Sequence, residues 1–146
     1  MKLTSESFKH GKMMEKRFGY NQDNVLPQLS WSGVPEGTKS FAISCIDPDA
    51  PSGDFIHWMI YNIPPDVRSI PEGGPIPDGA QEAINDYRQI GYDGPCPPSG
   101  THRYYFTVYA LSRNNLIIST KHDFLRQISR YTILKGQIMG KYSKDM

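Results

Sequence analysis

Residues 94–111 read GPCPPSGTHRYYFTVYAL, and the way this run divides decides the fold. Its first half is built against regular structure. Pro95, Pro97 and Pro98 hold φ near −65° and bring no N–H, while Gly94 and Gly100 reach conformations closed to other residues, so together they specify a shaped loop rather than a tether. The second half, Arg103 to Leu111, alternates and is rich in aromatic and β-branched residues, the pattern of a half-buried strand. The loop therefore delivers His102 to the mouth of a strand.

Working outward, the same punctuation brackets other strands: Ser40 to Ile46 (SFAISCI), Ile56 to Ile63 (IHWMIYNI) and a fainter start at Lys2 to Phe8. Between them, residues 64–93 carry PPD, PEGG and PIPDG, turn chemistry with few apolar positions, and predict a long loop with local order only. One helix is expected. Phe124, Ile128, Tyr131, Leu134 or Lys135, and Ile138 keep a 3.6-residue period, and Thr120 stands three residues before Asp123 as an acidic capping box. The helix is expected to run from about Lys121 to about Gly140, with Gly136 inside it for close packing. The pattern is mainly β, an antiparallel sheet system covered at one side by a C-terminal helix. With 146 residues, 38% of them hydrophobic, and no internal repeat, the chain is expected to be a single domain over 1–146.

Charge excludes several partners. Sixteen Lys and Arg against 15 Asp and Glu leave a net charge of +1, so no global field draws nucleic acid or an anionic membrane, and any anion site must be local. No apolar run approaches the roughly 18 residues of a membrane span, and MKLTSESFKHGK at the start lacks the core of a signal peptide, so a cytoplasmic location is expected. Cys45 and Cys96 have neither CxxC spacing nor a histidine beside them and read as two free thiols, Cys45 in the core. Neither a metal nor a cofactor is expected.

Three polar stretches stand at strand ends: DPDAP at 47–51, FIHW at 55–58 and the HRY of 102–104. If the strands are neighbours, Asp47, His57 and His102 converge on one rim of the sheet. Strict alternation puts His57 on one face with Met59, Tyr61 and Ile63, opposite Trp58, Ile60 and Asn62. Phe55, Trp58, Tyr92 and Tyr104 are available as aromatic walls, at least two of them as plain core. Each stretch also has a structural reading, since Asp-Pro-Asp commonly forms a turn whose carboxylate accepts backbone N–H groups. Convergent polar groups within an aromatic wall are, however, the usual form of a small-ligand pocket.

DPDAP, the His57 strand and GPCPPSGTHRY, together with Phe8, Gly11, PQLSW at 27–31, GTKSF at 37–41 and GKYS at 140–143, strongly resemble the phosphatidylethanolamine-binding protein family, also called Raf kinase inhibitor-like proteins, in its short prokaryotic branch. The resemblance implies a large central antiparallel sheet with a smaller sheet and a C-terminal helix, and a small anion pocket at the sheet rim. Carried over motif by motif, it implies Asp47, His57, His102 and Tyr104 as ligand-binding side chains, Gly94 as a backbone donor, and Pro51 and Phe55 as wall. Two positions depart from the prokaryotic pattern. Ile56 stands where relatives commonly have Trp before the histidine, which would leave one wall more open or aliphatic, and Leu26 replaces a usual Ser.

The function expected is non-enzymatic binding of a small anion or phosphorylated headgroup, of the phosphate or phosphoethanolamine type, with a protein kinase or other phosphate-presenting protein as a partner and a homodimer compatible with the chain. The alternatives are a hydrolase using Asp47, His57 and His102 as an acid-base set, and an inhibitor of a protein kinase or protease. Against the hydrolase, no Ser or Cys sits in a nucleophile elbow.

Overall fold

The strands pair as two antiparallel sheets in the computed structural model, which describes residues 1–146. In chain order the elements are β1 (Lys2–Thr4), β2 (Leu29–Ser32), β3 (Ser40–Asp47), β4 (Phe55–Ile63), β5 (Ser69–Ile70), β6 (Gln81–Glu82), β7 (Thr101–Leu111), α1 (Lys121–Tyr131) and β8 (Thr132–Ser143). The larger sheet has the order β6-β4-β3-β7-β8 and the smaller one β1-β2-β5. This is the mainly β architecture expected, with a large central sheet, a smaller sheet and a helix towards the C-terminus. The loop of residues 64–93 contains only the two-residue strands β5 and β6.

Packing follows from the two faces of the large sheet. One face meets the small sheet and the N-terminal segment through Trp31, Phe41, Trp58, Phe106 and Val108. The other is covered at one end by α1, which buries Phe124 and Ile128 against Ala42, Met59 and Tyr61. Burying each such side chain stabilises the fold by about 1.5–3 kcal/mol, so two anchors hold the helix. Thr120 caps it as expected, its side-chain oxygen accepting from the Asp123 N–H at 3.1 Å.

The helix stops nine residues earlier than the period suggested. Residues 132–140 instead belong to β8, which pairs with β7 along its whole length, from Thr101↔Ser143 to Leu111↔Thr132. β-branched Thr132 and Ile133 disfavour continuing the helix, and Gly136, Ile138, Gly140 and Tyr142 alternate inward at period two. Gly136 does serve close packing, but in a strand: a Cβ there would lie 2.7 Å from the Met1 carbonyl oxygen.

β4 departs from strict alternation as well. Cys45 pairs with Trp58 but Ile46 with Ile56, so His57 is the extra residue of a bulge, and a second irregularity precedes Phe41↔Ile63, where Asn62 has φ 57°. Ile56, Met59 and Tyr61 therefore pack towards α1, while Trp58, Ile60 and Ile63 pack towards the small sheet. His57 does not share the Met59 face. Its ring lies 5.2 Å from that of Tyr104, which belongs to the cluster between the sheets.

Candidate functional site

β3 ends where β4 and β7 begin, and because the three are antiparallel neighbours their polar ends share one rim: Asp47 pairs with Phe55, and Ile46 with Tyr105. A cavity of about 180 Å³ opens there, lined by Asp47, Pro51, Phe55, His57, His102 and Tyr104, six of the seven residues that the sequence puts forward. The size decides what fits. Drug-sized ligands occupy roughly 300–1,000 Å³, so this cavity suits a small group rather than a drug-sized molecule.

Asp47 and His102 form the centre. His102 Nδ1 lies 2.7 Å from Asp47 Oδ2, with both side chains nearly buried, and Asp47 Oδ1 accepts the Asp49 N–H at 2.7 Å. One Asp47 oxygen thus serves the turn and the other holds His102. With both oxygens occupied, Asp47 fixes the orientation of the His102 ring. The next carboxylate, Asp49, ties the turn to β7 through a two-pronged contact with Arg103 (2.9 and 2.8 Å), and that hydrogen bonding lowers its pKa to about 2.

His57 is held differently. Its Nδ1 donates to the Asp93 carbonyl at 2.8 Å, and a carbonyl can only accept, which fixes the proton on Nδ1. The ring is 3% exposed, and burial lowers its pKa although the Asp93 hydrogen bond and the Asp47 charge oppose the shift. Its Nε2 makes no hydrogen bond, yet it is not among the buried unpartnered atoms, so it is open to the pocket. Tyr104 completes the polar set. Its hydroxyl is buried without any partner, and burial followed by the Asp47 charge pushes the phenol well above its ordinary pKa, which keeps it a proton donor.

Gly94 is not where the resemblance implied. Its N–H donates to Asn24 Oδ1 at 2.7 Å, its carbonyl accepts from the Tyr87 hydroxyl at 3.1 Å, and it does not line the cavity. Glycine is required there for another reason: a Cβ would fall 1.9 Å from the Phe18 carbonyl oxygen. The loop instead contributes Cys96, Pro97 and Pro98 to the wall. Of the aromatic candidates, Phe55 and Tyr104 line the pocket, whereas Trp58 and Tyr92 are core, bonded to Glu82 and to the Phe18 carbonyl. Ile56 points towards α1, so the departure at that position leaves the pocket wall untouched. The cis peptide precedes Pro75, outside the Gly94–Gly100 loop.

Tyr87 is the residue that sequence reasoning missed. It packs edge-on against Phe55 and His57 at 4.8 and 5.5 Å and stacks on Tyr20 at 4.3 Å. An aromatic in a turn-rich loop that was itself singled out was the available signal. No group of three or more His, Cys, Asp or Glu side chains comes close enough to hold a metal. Both cysteines are free; Cys96 Sγ accepts from Asn21 Nδ2 at 3.2 Å and is bonded to neither histidine.

Comparison with known proteins bears on the family and the fold. A sequence profile described as phosphatidylethanolamine-binding protein matches residues 4–143. A UPF0098 protein of Methanothermobacter thermautotrophicus is 39% identical over 150 residues, covering 99% of each chain. The UPF0098 protein YbhB of Escherichia coli is 45% identical over 123 residues, 76% of this chain and 78% of the relative. Among solved structures, Escherichia coli YbcL, described as a new member of the mammalian PEBP family, superposes with TM-score 0.92 at 33% identity over 97% of each chain. A homologue from Chlamydia trachomatis gives 0.90 at 36% identity, over 99% of this chain and 97% of its own.

Proposed function

This chain belongs to the phosphatidylethanolamine-binding protein family, and we propose that its rim pocket binds a small anionic or phosphorylated ligand, of the phosphate or phosphoethanolamine type, without transforming it. The observation that carries the reading is the Tyr104 hydroxyl. A buried polar group with no partner costs about 1–3 kcal/mol, and an oxyanion in the cavity would supply the missing acceptor. His102 adds a second polar group: with Nδ1 held by Asp47, its Nε2 is left for the ligand, and a protonated ring would donate from it as a charge-assisted bond.

The acid-base alternative has less support. Cys96 is the only thiol on the wall, it bonds to Asn21, and His57 Nδ1 is committed to a backbone carbonyl. A phosphate-bearing protein such as a kinase would meet the pocket through the same donors, and the reading places the chain in the cytoplasm. No helix is long and apolar enough to cross a membrane.

The test is an NMR titration of wild type and Tyr104→Phe with phosphate and with phosphoethanolamine. Saturable shifts at residues 47–57 and 94–104 that weaken in the variant support the proposal. Turnover of phosphomonoester, ester or peptide substrates that vanishes in both His57→Ala and His102→Ala would replace it with the hydrolase.

A further inference from the structure

The donors described so far explain why an anion would bind, but the pocket also holds an acceptor besides the Asp47 carboxylate. His57 carries its only ring proton on Nδ1, spent on the Asp93 carbonyl at 2.8 Å, and turns Nε2, with its lone pair, to the cavity. The rings packed around it are those of Phe55, Tyr87 and Tyr104, and burial disfavours the second proton that would convert Nε2 into a donor, outweighing the Asp93 and Gly94 backbone and the Asp47 and Asp86 charges that favour it. A fully deprotonated oxyanion placed against Tyr104 and His102 would therefore set oxygen lone pairs against the Nε2 lone pair.

We propose that His57 is the specificity-determining residue of the pocket and that the ligand class is a protonated oxyanion, a hydrogenphosphate or a phosphomonoester carrying one proton, whose P–OH donates to His57 Nε2 while its unprotonated oxygens accept from Tyr104 and His102. This rests on the anion-binding reading above and sharpens it. Sulfate has the same shape but no proton near neutral pH, so it satisfies the donors and leaves the acceptor opposed. A site built to pair one ligand O–H discriminates strongly against an isostere that lacks it, because a buried polar group is then left unpaired.

The experiment compares two protonated oxyanions, phosphate and arsenate, with two unprotonated ones, sulfate and selenate, by titration near pH 6.5, with histidine ¹⁵N spectra recorded in parallel. Phosphate and arsenate are expected to bind about tenfold or more tighter than sulfate and selenate, a ratio that drops towards one in His57→Phe. The free-protein spectrum is expected to show His57 with its proton on Nδ1 and an unprotonated Nε2 whose resonance moves when phosphate binds. That readout needs no mutant and stands even if His57→Phe fails to fold. Equal affinity for all four ions, or a free-protein His57 protonated at Nε2, overturns the inference while leaving anion binding intact. Failure of all four to bind overturns both.

Discussion

Two buried polar clusters stand side by side in this molecule and are wired in opposite ways. Around Asp93 the polar bonds close on each other: Asn24 donates to Oδ1 at 2.9 Å, Asn85 donates to Oδ2 at 2.8 Å, and the oxygen of Asn24 takes the Gly94 N–H. Asn85 also donates to the Gly91 carbonyl and accepts from the backbone of Tyr87 and Gln89. Around Asp47 the bonds stop short. Tyr104 Oη has no partner, and neither His57 nor His102 uses its Nε2. The Asp93 carbonyl joins the clusters by fixing His57. A closed network shapes the chain, whereas the open one, at similar burial, leaves polar atoms without partners within it, which is the basis of the binding proposal.

The largest effect should come from the closed side. Asp93→Ala strips one buried and one half-buried amide of their acceptor and is expected to destabilise by about 2–4 kcal/mol, read as a lower urea midpoint. A loss below about 1 kcal/mol would show that the network is solvated and would remove the contrast between the clusters. On the open side the main loss should be in binding: His102→Ala should weaken phosphate affinity by about 1.5–3 kcal/mol, roughly tenfold or more, in protein whose spectrum remains folded. Undiminished affinity there would take His102 out of the site.

A smaller, pH-dependent effect joins the two clusters. Burial lowers the pKa of folded His57, so in the window below the unfolded value near 6.5 the unfolded chain binds the proton first. Its contribution to stability is therefore complete above about pH 6.5 and lost as pH falls through the lower folded value. Urea midpoints between about pH 7.5 and about pH 5 should decline less steeply in His57→Gln than in wild type, since the subtraction removes the other titrating groups. Parallel curves would mean that His57 titrates alike in both states.

Much of this was legible before any coordinates. Proline and glycine punctuation and period-two alternation located β3, β4 and β7 to within a few residues, and placing Asp47, His57 and His102 at their ends was enough to assemble the rim. What escaped has identifiable causes. Residues 132–140 satisfy a helical and a strand period together, and only the free edge of β7 decides between them. A bulge is one inserted residue, which alternation cannot register, so His57 was given the face of Met59. Gly94 lost its expected role to Asn24, a partner 70 positions away that no local pattern announces.

The smallest expected effect is the most discriminating, because its two readouts move in opposite directions. Tyr104→Phe keeps the ring, which packs at 5.2 Å against His57 and faces Gly140 across β7 and β8, and deletes only the buried oxygen that has no partner. In an ordinary core such an oxygen is bonded, and its loss destabilises by about 0.5–1.5 kcal/mol. Here the folded state without ligand bears its desolvation unrewarded, so the variant should be as stable as wild type or more stable by up to about 1 kcal/mol. Phosphate affinity should nevertheless fall, by about 0.5–1.5 kcal/mol, because the ligand loses a donor. Thermal unfolding with and without saturating phosphate measures both quantities in one pair of scans: the variant should melt no lower than wild type without phosphate and gain less from its addition. If Tyr104→Phe melts lower without ligand, the hydroxyl has a structural partner, and the open cluster is as closed as the one around Asp93.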